Sequence, residues 1–282
     1  MALKGMGWHR DLPDVRDYTD STESVAKVVR HVRSTQKSTK LPGAVDLRAH
    51  CSPVEDQGSI GSCVAHASVG LLEYFERRAF GRHVDASRLF VYKVARNLLG
   101  WKGDTGAYLR TGMQALVTFG APPEKHWPYR EAATALDAEP TAFCYAFANR
   151  FRTVEYYRLD PTERRAADVL TAVQTSLAAG LPAMFGFTVY GSIPAVGDGR
   201  VDIPLPKRGD RVEGGHAVMC VGYDDARKID GAKGALLIRN SWGSAWGDQG
   251  YGWLPYQYVT LGLATDWWSL VRAEFLDVSK FE

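Results

Sequence analysis

Residues 57–66 read Gln57-Gly-Ser-Ile-Gly-Ser-Cys-Val-Ala-His66. The two glycines, Gly58 and Gly61, make a tight turn, and a helical pattern begins immediately after it. Val64, Ala67, Leu71 and Phe75 fall on one face, which predicts a helix from near Ser62 to Ala79. Glu73, Glu76, Arg77 and Arg78 supply its polar positions. The two arginines suit the negative end of the helix, and Gly81 can terminate it. Cys63 therefore stands in the first turn, where unpaired backbone N–H groups and the helix dipole favour a thiolate. An attacking sulfur gains from that position. A single cysteine on an apolar helix is, however, more often inert core.

Outward from this helix, the first half of the chain stays helical. A second helix is predicted from near Asp85 to Leu99, before Gly100. A third runs from about Gly106 to Phe119, before Gly120. Asp160-Pro-Thr-Glu163 reads as a further helix start: an N-cap, a proline at the first helical position and a capping acid three residues on. That helix should reach about Ala179, ahead of Gly180 and Pro182. Beyond it lie short apolar runs punctuated by glycine, at 183–189, 216–223, 234–239 and 251–254, which read as strands. Helices first and strands second predict an α+β fold. It would have a helical part over about 45–150, a β-rich part over about 151–282, and a cleft between them.

Residues 1–44 differ from the rest and read as an extension. Asp11-Leu-Pro-Asp-Val-Arg-Asp17 is polar and broken by proline. The stretch from Asp20 to Arg30 can form a short helix, and Ser34–Lys40 reads as a linker closed by Leu41-Pro42-Gly43. The first ten residues place no apolar run behind their basic residues and do not read as a secretory signal; localisation stays open. The 282 residues are 45% hydrophobic and 23% charged, the balance of a water-soluble globular chain. With 34 basic against 32 acidic residues the net charge is +2, which gives no electrostatic reason to expect nucleic acid or an anionic membrane as partner. No apolar run is long enough to span a bilayer. The four cysteines, Cys51, Cys63, Cys144 and Cys220, are too few for a disulfide scaffold.

Two other residues give Cys63 a context. His216 sits in Gly214-Gly-His-Ala-Val218, at the start of an apolar strand, and Asn240 sits in Arg239-Asn-Ser-Trp-Gly243, at the end of one. Each alone is an ordinary strand or turn residue. Together with Cys63 they supply what cysteine-based acyl chemistry needs: a thiolate, a proton carrier and a group that orients it. Gln57, six residues before Cys63, can present a side-chain N–H to a developing oxyanion beside the Cys63 amide.

The segment Val45–Cys63 resembles the start of the mature domain of papain-family cysteine peptidases. Gly214–Tyr223 resembles that family's histidine segment and Asn240–Tyr251 its asparagine segment, with Trp127-Pro-Tyr129 as a shorter match between. The resemblance covers about residues 45–256. It implies a papain-like fold and a cysteine peptidase with no metal or organic cofactor. Cys63 would be the nucleophile, His216 its partner, Asn240 the orienting residue and Gln57 an oxyanion donor. Trp242 would shield the His216–Asn240 pair, Trp246 would line the far side of the cleft, and Gly106, Ala107 and Gly215 would contact substrate. His216 lies 153 residues after Cys63 (216 − 63), beyond the family's usual span of roughly 130–150. An insertion is expected within 191–213.

Two departures from the family pattern stand out. Ile60 replaces the cysteine usual three residues before the nucleophile, so the disulfide made from that position is not expected. Val64 replaces the tryptophan usual just after it. Cys63 and His66 form C-x-x-H on one helix, which resembles half a zinc site. The other cysteines are scattered, so His66 is expected to pack inside and no metal is expected. Cys51, Cys144 and Cys220 are expected to be free.

Three functions share these residues. The first is peptide hydrolysis through a thioester, with a peptide or protein as substrate. The second is acyl transfer to an amine on the same thioester. The third is a non-catalytic peptide-binding module, which would have no need of all four residues. Residues 1–44 lack the family's long helical prosegment. Trp8 or the Asp11–Asp17 stretch can still reach the cleft, which makes the chain's own N-terminal segment a candidate blocker.

Overall fold

A computed structural model describes residues 5–27, 40–149 and 155–271. The predicted linker at Ser34–Lys40 lies almost wholly outside them, as does the end of the short helix expected to reach Arg30; residues 23–27 of that helix are helical.

The central helix α1 spans Cys63–Phe80 and ends on Gly81, whose φ of 68° closes it in the left-handed conformation. Every residue from Cys63 to Phe75 is buried, because α1 packs against helices on one side and sheet on the other. Helix α2, Arg88–Leu99, starts later than the pattern predicted. The Ser87 side chain accepts from Phe90 N and fixes the start there. Helix α3 covers Leu109–Thr118, and the residues before it, Ala107–Tyr108, are extended as strand β3.

The opening expected at Asp160 is a misreading of the sequence. The helix, α4, is Ala166–Ala178. The Asp160 carboxylate instead accepts from Asp266 N at 2.7 Å, Trp267 N at 2.9 Å and Arg158 Nε at 2.9 Å. A capping pattern competes with tertiary partners, and here a buried arginine and a strand's free N–H groups take the carboxylate.

Seven strands form one antiparallel sheet: β2 (Ala44–Asp46), β4 (Glu155–Arg158), β5 (Ala183–Tyr190), β6 (Val212–Ile229), β7 (Ala232–Arg239), β8 (Tyr251–Pro255) and β9 (Ala264–Val271). Their order is β4-β9-β5-β6-β7-β8, with β2 on β6. The connection 191–211 carries no regular strand or helix. A separate two-stranded parallel pair joins β1, Trp8–His9, to β3. The helices α1–α3 and the sheet thus build the α+β architecture, and α1 is the element both halves share. The four cysteines are buried and unpaired. Among the described residues no helix is long and apolar enough to cross a membrane.

Candidate active site

Cys63 begins α1, and Ser62 before it makes no side-chain cap. Ser62 Oγ pairs instead with Tyr129 Oη at 2.6 Å. The first-turn N–H groups of α1 are thereby left to other acceptors. The backbone N–H groups of Ala217, Gly7, Val64 and Cys63 itself all favour the Cys63 thiolate. Burial outweighs them and pushes the thiol up to about 11.

Strand β6 carries His216, and Asn240 follows β7 directly. The two strands pair, so the residues meet although 24 positions separate them. His216 Nε2 and Asn240 Oδ1 are 2.7 Å apart. Ser241 N, which can only donate, also lies on Asn240 Oδ1, at 2.8 Å. That fixes the amide's orientation and places the proton of a neutral imidazole on Nε2. Nδ1 is buried, with no hydrogen-bond partner among the described residues, and is the free base. Trp242 stacks on the imidazole, with ring centroids 4.7 Å apart. Burial holds His216 down at about 4, and the Asn240 hydrogen bond works against it.

Gln57 is fully buried on the loop before Cys63. Ser241 Oγ donates to its Oε1 at 2.5 Å, which turns Nε2 the other way. Nε2 then donates to Ile60 O at 2.9 Å and to Gly5 O at 2.7 Å. Tyr129 Oη donates to the Gln57 carbonyl at 2.8 Å, so the loop is pinned from both sides.

Residues 5–9 thus lie against Gln57, the turn before α1 and strand β3. Gly5 N donates to Gly58 O at 3.2 Å, and Ala107 N donates to Gly7 O at 2.8 Å. Glycine is required at 5 and 7: an added Cβ would stand 2.3 Å from Ile60 O and 1.9 Å from Gly61 O respectively. Gly106 meets Gly7 O, and Gly215 meets Trp8. Trp246 is fully buried, donating to Pro194 O at 2.9 Å and meeting Trp242 edge-on; its ring backs Trp242.

Farther along, Asp11, the Leu12 carbonyl and Asp17 all bind Arg110, the last at 2.7 Å. Arg158 donates to Asp11 O at 3.1 Å and Arg164 to Asp20 at 2.7 Å.

His66 packs inside, edge-on to Tyr129, with Nδ1 3.1 Å from Ser62 O. Among the described residues no group of three or more His, Cys, Asp or Glu could hold a metal ion. Sequence reasoning missed Ser241, which orients Gln57, and Asp266, which receives the Trp8 indole N–H at 3.0 Å. Ser241 adjoins Asn240 in a segment already singled out, whereas nothing local marks Asp266.

The family described as papain family cysteine protease matches residues 41–268. The chain is 30% identical over 289 residues to an uncharacterized peptidase C1-like protein of Acanthamoeba polyphaga mimivirus, covering 99% of this chain and 90% of that protein. Cathepsin K of Gallus gallus is 30% identical over 223 residues, 76% of this chain and 59% of that protein. The crystal structure of xylellain, a cysteine protease from Xylella fastidiosa, superposes with a TM-score of 0.75 at 36% identity, over 95% of this chain and 97% of that one.

Proposed function

Because the chain belongs to the papain family of cysteine peptidases, we propose that it cleaves peptide bonds through a Cys63 thioester and that residues 5–9 hold it in check. The observation that carries this reading is the grip of Gln57 Nε2 on a main-chain carbonyl, Gly5 O, beside the Cys63 helix. A site that binds a peptide carbonyl through a fixed N–H donor is prepared for the oxyanion that forms there.

In the proposed reaction the Cys63 thiol passes its proton to His216 Nδ1 and the sulfur attacks the scissile carbonyl carbon. Gln57 Nε2 and the Cys63 backbone N–H take the oxyanion. As the tetrahedral carbon collapses, the C–N bond breaks and the imidazolium delivers its proton to the leaving amine. Water, deprotonated by the same nitrogen, then attacks the thioester and releases the acid and the thiol. Asn240 Oδ1 keeps the imidazole turned throughout, and Trp242 shields that hydrogen bond from water.

The blocking role of the N-terminal segment rests on three features. It occupies the Gln57 donor that an oxyanion needs. With it in place Cys63 and His216 are both fully buried, which keeps the thiol and the imidazole neutral at pH 7. The group it offers the sulfur is the Gly7 N–H, which is no electrophile. Ion pairs of Asp11 and Asp17 with Arg110 anchor it.

The test is hydrolysis of a peptide library, together with labelling of Cys63 by a small electrophile. The full chain should be slow in both, and a chain freed of the segment fast. Hydrolysis retained in Cys63→Ala would overturn the assignment.

A further inference from the structure

Carboxylates hold the turn that feeds α1 from outside. Glu131 Oε2 accepts from Ser59 N at 2.8 Å and from Ser59 Oγ at 2.9 Å. Asp104 Oδ1 accepts from Gly61 N at 2.9 Å. The same oxygen takes the Tyr92 hydroxyl at 2.6 Å, and Tyr92 Oη in turn accepts from Gly106 N at 2.9 Å. One carboxylate oxygen and one phenol therefore join Gly61 to Gly106. The two glycines are neighbours in space: a Cβ on Gly61 would stand 3.3 Å from Asp104 Oδ1 and 3.5 Å from Gly106 N.

The direction of each of these bonds is fixed. Amides only donate and a carboxylate only accepts, so Tyr92 gives its proton to Asp104 and keeps a lone pair for Gly106 N. Burial, together with the Asp104 hydrogen bond, holds the phenol above its usual 10, so the proton stays in place. Tyr92 is fully buried on α2, and the Arg96 guanidinium lies over its ring, 4.3 Å from the centroid. Arg96 also binds the Gly103 carbonyl and, at 3.0 Å, the Asp137 carboxylate, which accepts from Gly103 N at 2.9 Å. The loop 100–106 is thus rooted on α2 at one end and tied to the turn at the other. Asp104 itself is exposed, so its side chain is free of packing duties.

Gly106 N goes to Tyr92, while the next amide, Ala107 N, donates to Gly7 O at 2.8 Å. Fixing the first amide aims the second. One peptide carbonyl thus docks on β3 while Gln57 Nε2 grips another, Gly5 O, at 2.7 Å. On the reading given under Proposed function, a substrate main chain takes the place of residues 5–9. We propose that Asp104 is a positioning residue for this reaction. By holding Gly61 N directly and Gly106 N through Tyr92, it sets the spacing between the turn that carries Gln57 and Cys63 and the strand that grips the substrate main chain. No disulfide does so, since Ile60 stands where the family usually has a cysteine and all four cysteines are free. A hydrogen bond to a charged group is the strong kind, which suits a single side chain that has to fix two backbones.

The test compares Asp104→Ala, Asp104→Asn, Tyr92→Phe and Glu131→Ala in the full chain. Amide hydrogen exchange is read by NMR at Ser59, Gly61 and Gly106. Steady-state kinetics on a peptide library are read with Gly7→Ala added, so that release of residues 5–9 is common to all. Asp104→Ala should speed exchange at both Gly61 and Gly106 and lower kcat/KM about 10–100-fold, the worth of a hydrogen bond to a charged group. Asp104→Asn keeps a carbonyl acceptor and should recover at least half of each loss on a logarithmic scale. Tyr92→Phe keeps the packing and frees Gly106 N alone. It should speed exchange there, leave Gly61 unchanged, and raise KM about 3–10-fold with kcat within about twofold. Glu131→Ala should speed exchange at Ser59 and leave Gly106 and KM unchanged. A lower urea midpoint in Asp104→Ala, with Gly106 exchange and KM both at parental values, overturns the proposal, and so does an unchanged KM in Tyr92→Phe. The expected exchange pattern without hydrolysis of any peptide supports the spacing role and overturns the catalytic reading instead.

Discussion

Replacing Gly7 by alanine should switch the enzyme on. The added Cβ would lie 1.9 Å from Gly61 O, 2.5 Å from Gly61 C and 2.6 Å from Gly61 Cα. These are backbone atoms of the turn that feeds α1, so no rotamer change relieves the clash. Overpacking of this kind costs about 1–3 kcal/mol or more. The main-chain bonds of Gly5 and Gly7 and the Trp8–Asp266 bond must shift together. With the thiol at about 11, only about one molecule in 10⁴ carries a thiolate at pH 7. Return to an ordinary thiol near 8.5 would raise that fraction roughly 300-fold. Loss of the Gly7 N–H acts in the opposite direction, so this is an upper bound. The assay is iodoacetamide alkylation of Cys63 at pH 7, followed by peptide hydrolysis, with the full chain throughout. Gly43→Ala is the control, because a Cβ there meets nothing within 4 Å. A folded Gly7→Ala chain that alkylates and hydrolyses at the parental rates would refute the blocking argument.

Cys63→Ala should lower turnover more than about 10³-fold and leave the circular dichroism unchanged, since only the sulfur is removed. Asn240→Ala should cost less than His216→Ala in kcat, because one orients the imidazole and the other carries the proton; equal losses would contradict that division. Ser241→Ala should let the Gln57 amide turn and lower kcat about tenfold, with iodoacetamide alkylation of a Gly7→Ala background unaltered. Stability should rise with pH between about 4 and 6.5. His216 at about 4 and His66 at about 3 bind protons more weakly than the usual 6.5, so the unfolded chain takes up more protons in that window. Asp266, raised to about 6, opposes this in part. Urea midpoints across that range, with a smaller slope in His66→Gln, provide the check.

The helices were legible where glycine ends them locally, as at Gly81 and Gly100. Asp160 shows the limit. Its neighbours spell a helix cap, but the β9 backbone and Arg158 lie closer to its carboxylate in the fold, and they take it. Strands β4 and β9 went unread as well, since β9 sets Trp267 and Trp268 side by side and shows no clean apolar–polar alternation.

By itself the sequence determined that this chain is a papain-family cysteine peptidase. Cys63 after a glycine turn, His216 opening a strand and Asn240 closing one are each marked by their immediate neighbours. The roles proposed for them depend on residue type, which folding does not change. The tertiary structure decided what those residues meet. Whether residues 5–9 reach Gln57 depends on three backbones, at Gly7, Gly61 and Gly106, coming within contact distance. The carboxylate that receives Trp8 lies 258 positions away along the chain. Long-range approaches of this kind leave no period or spacing in a sequence, because they are set by how β5, β6 and β9 pair and where their register slips.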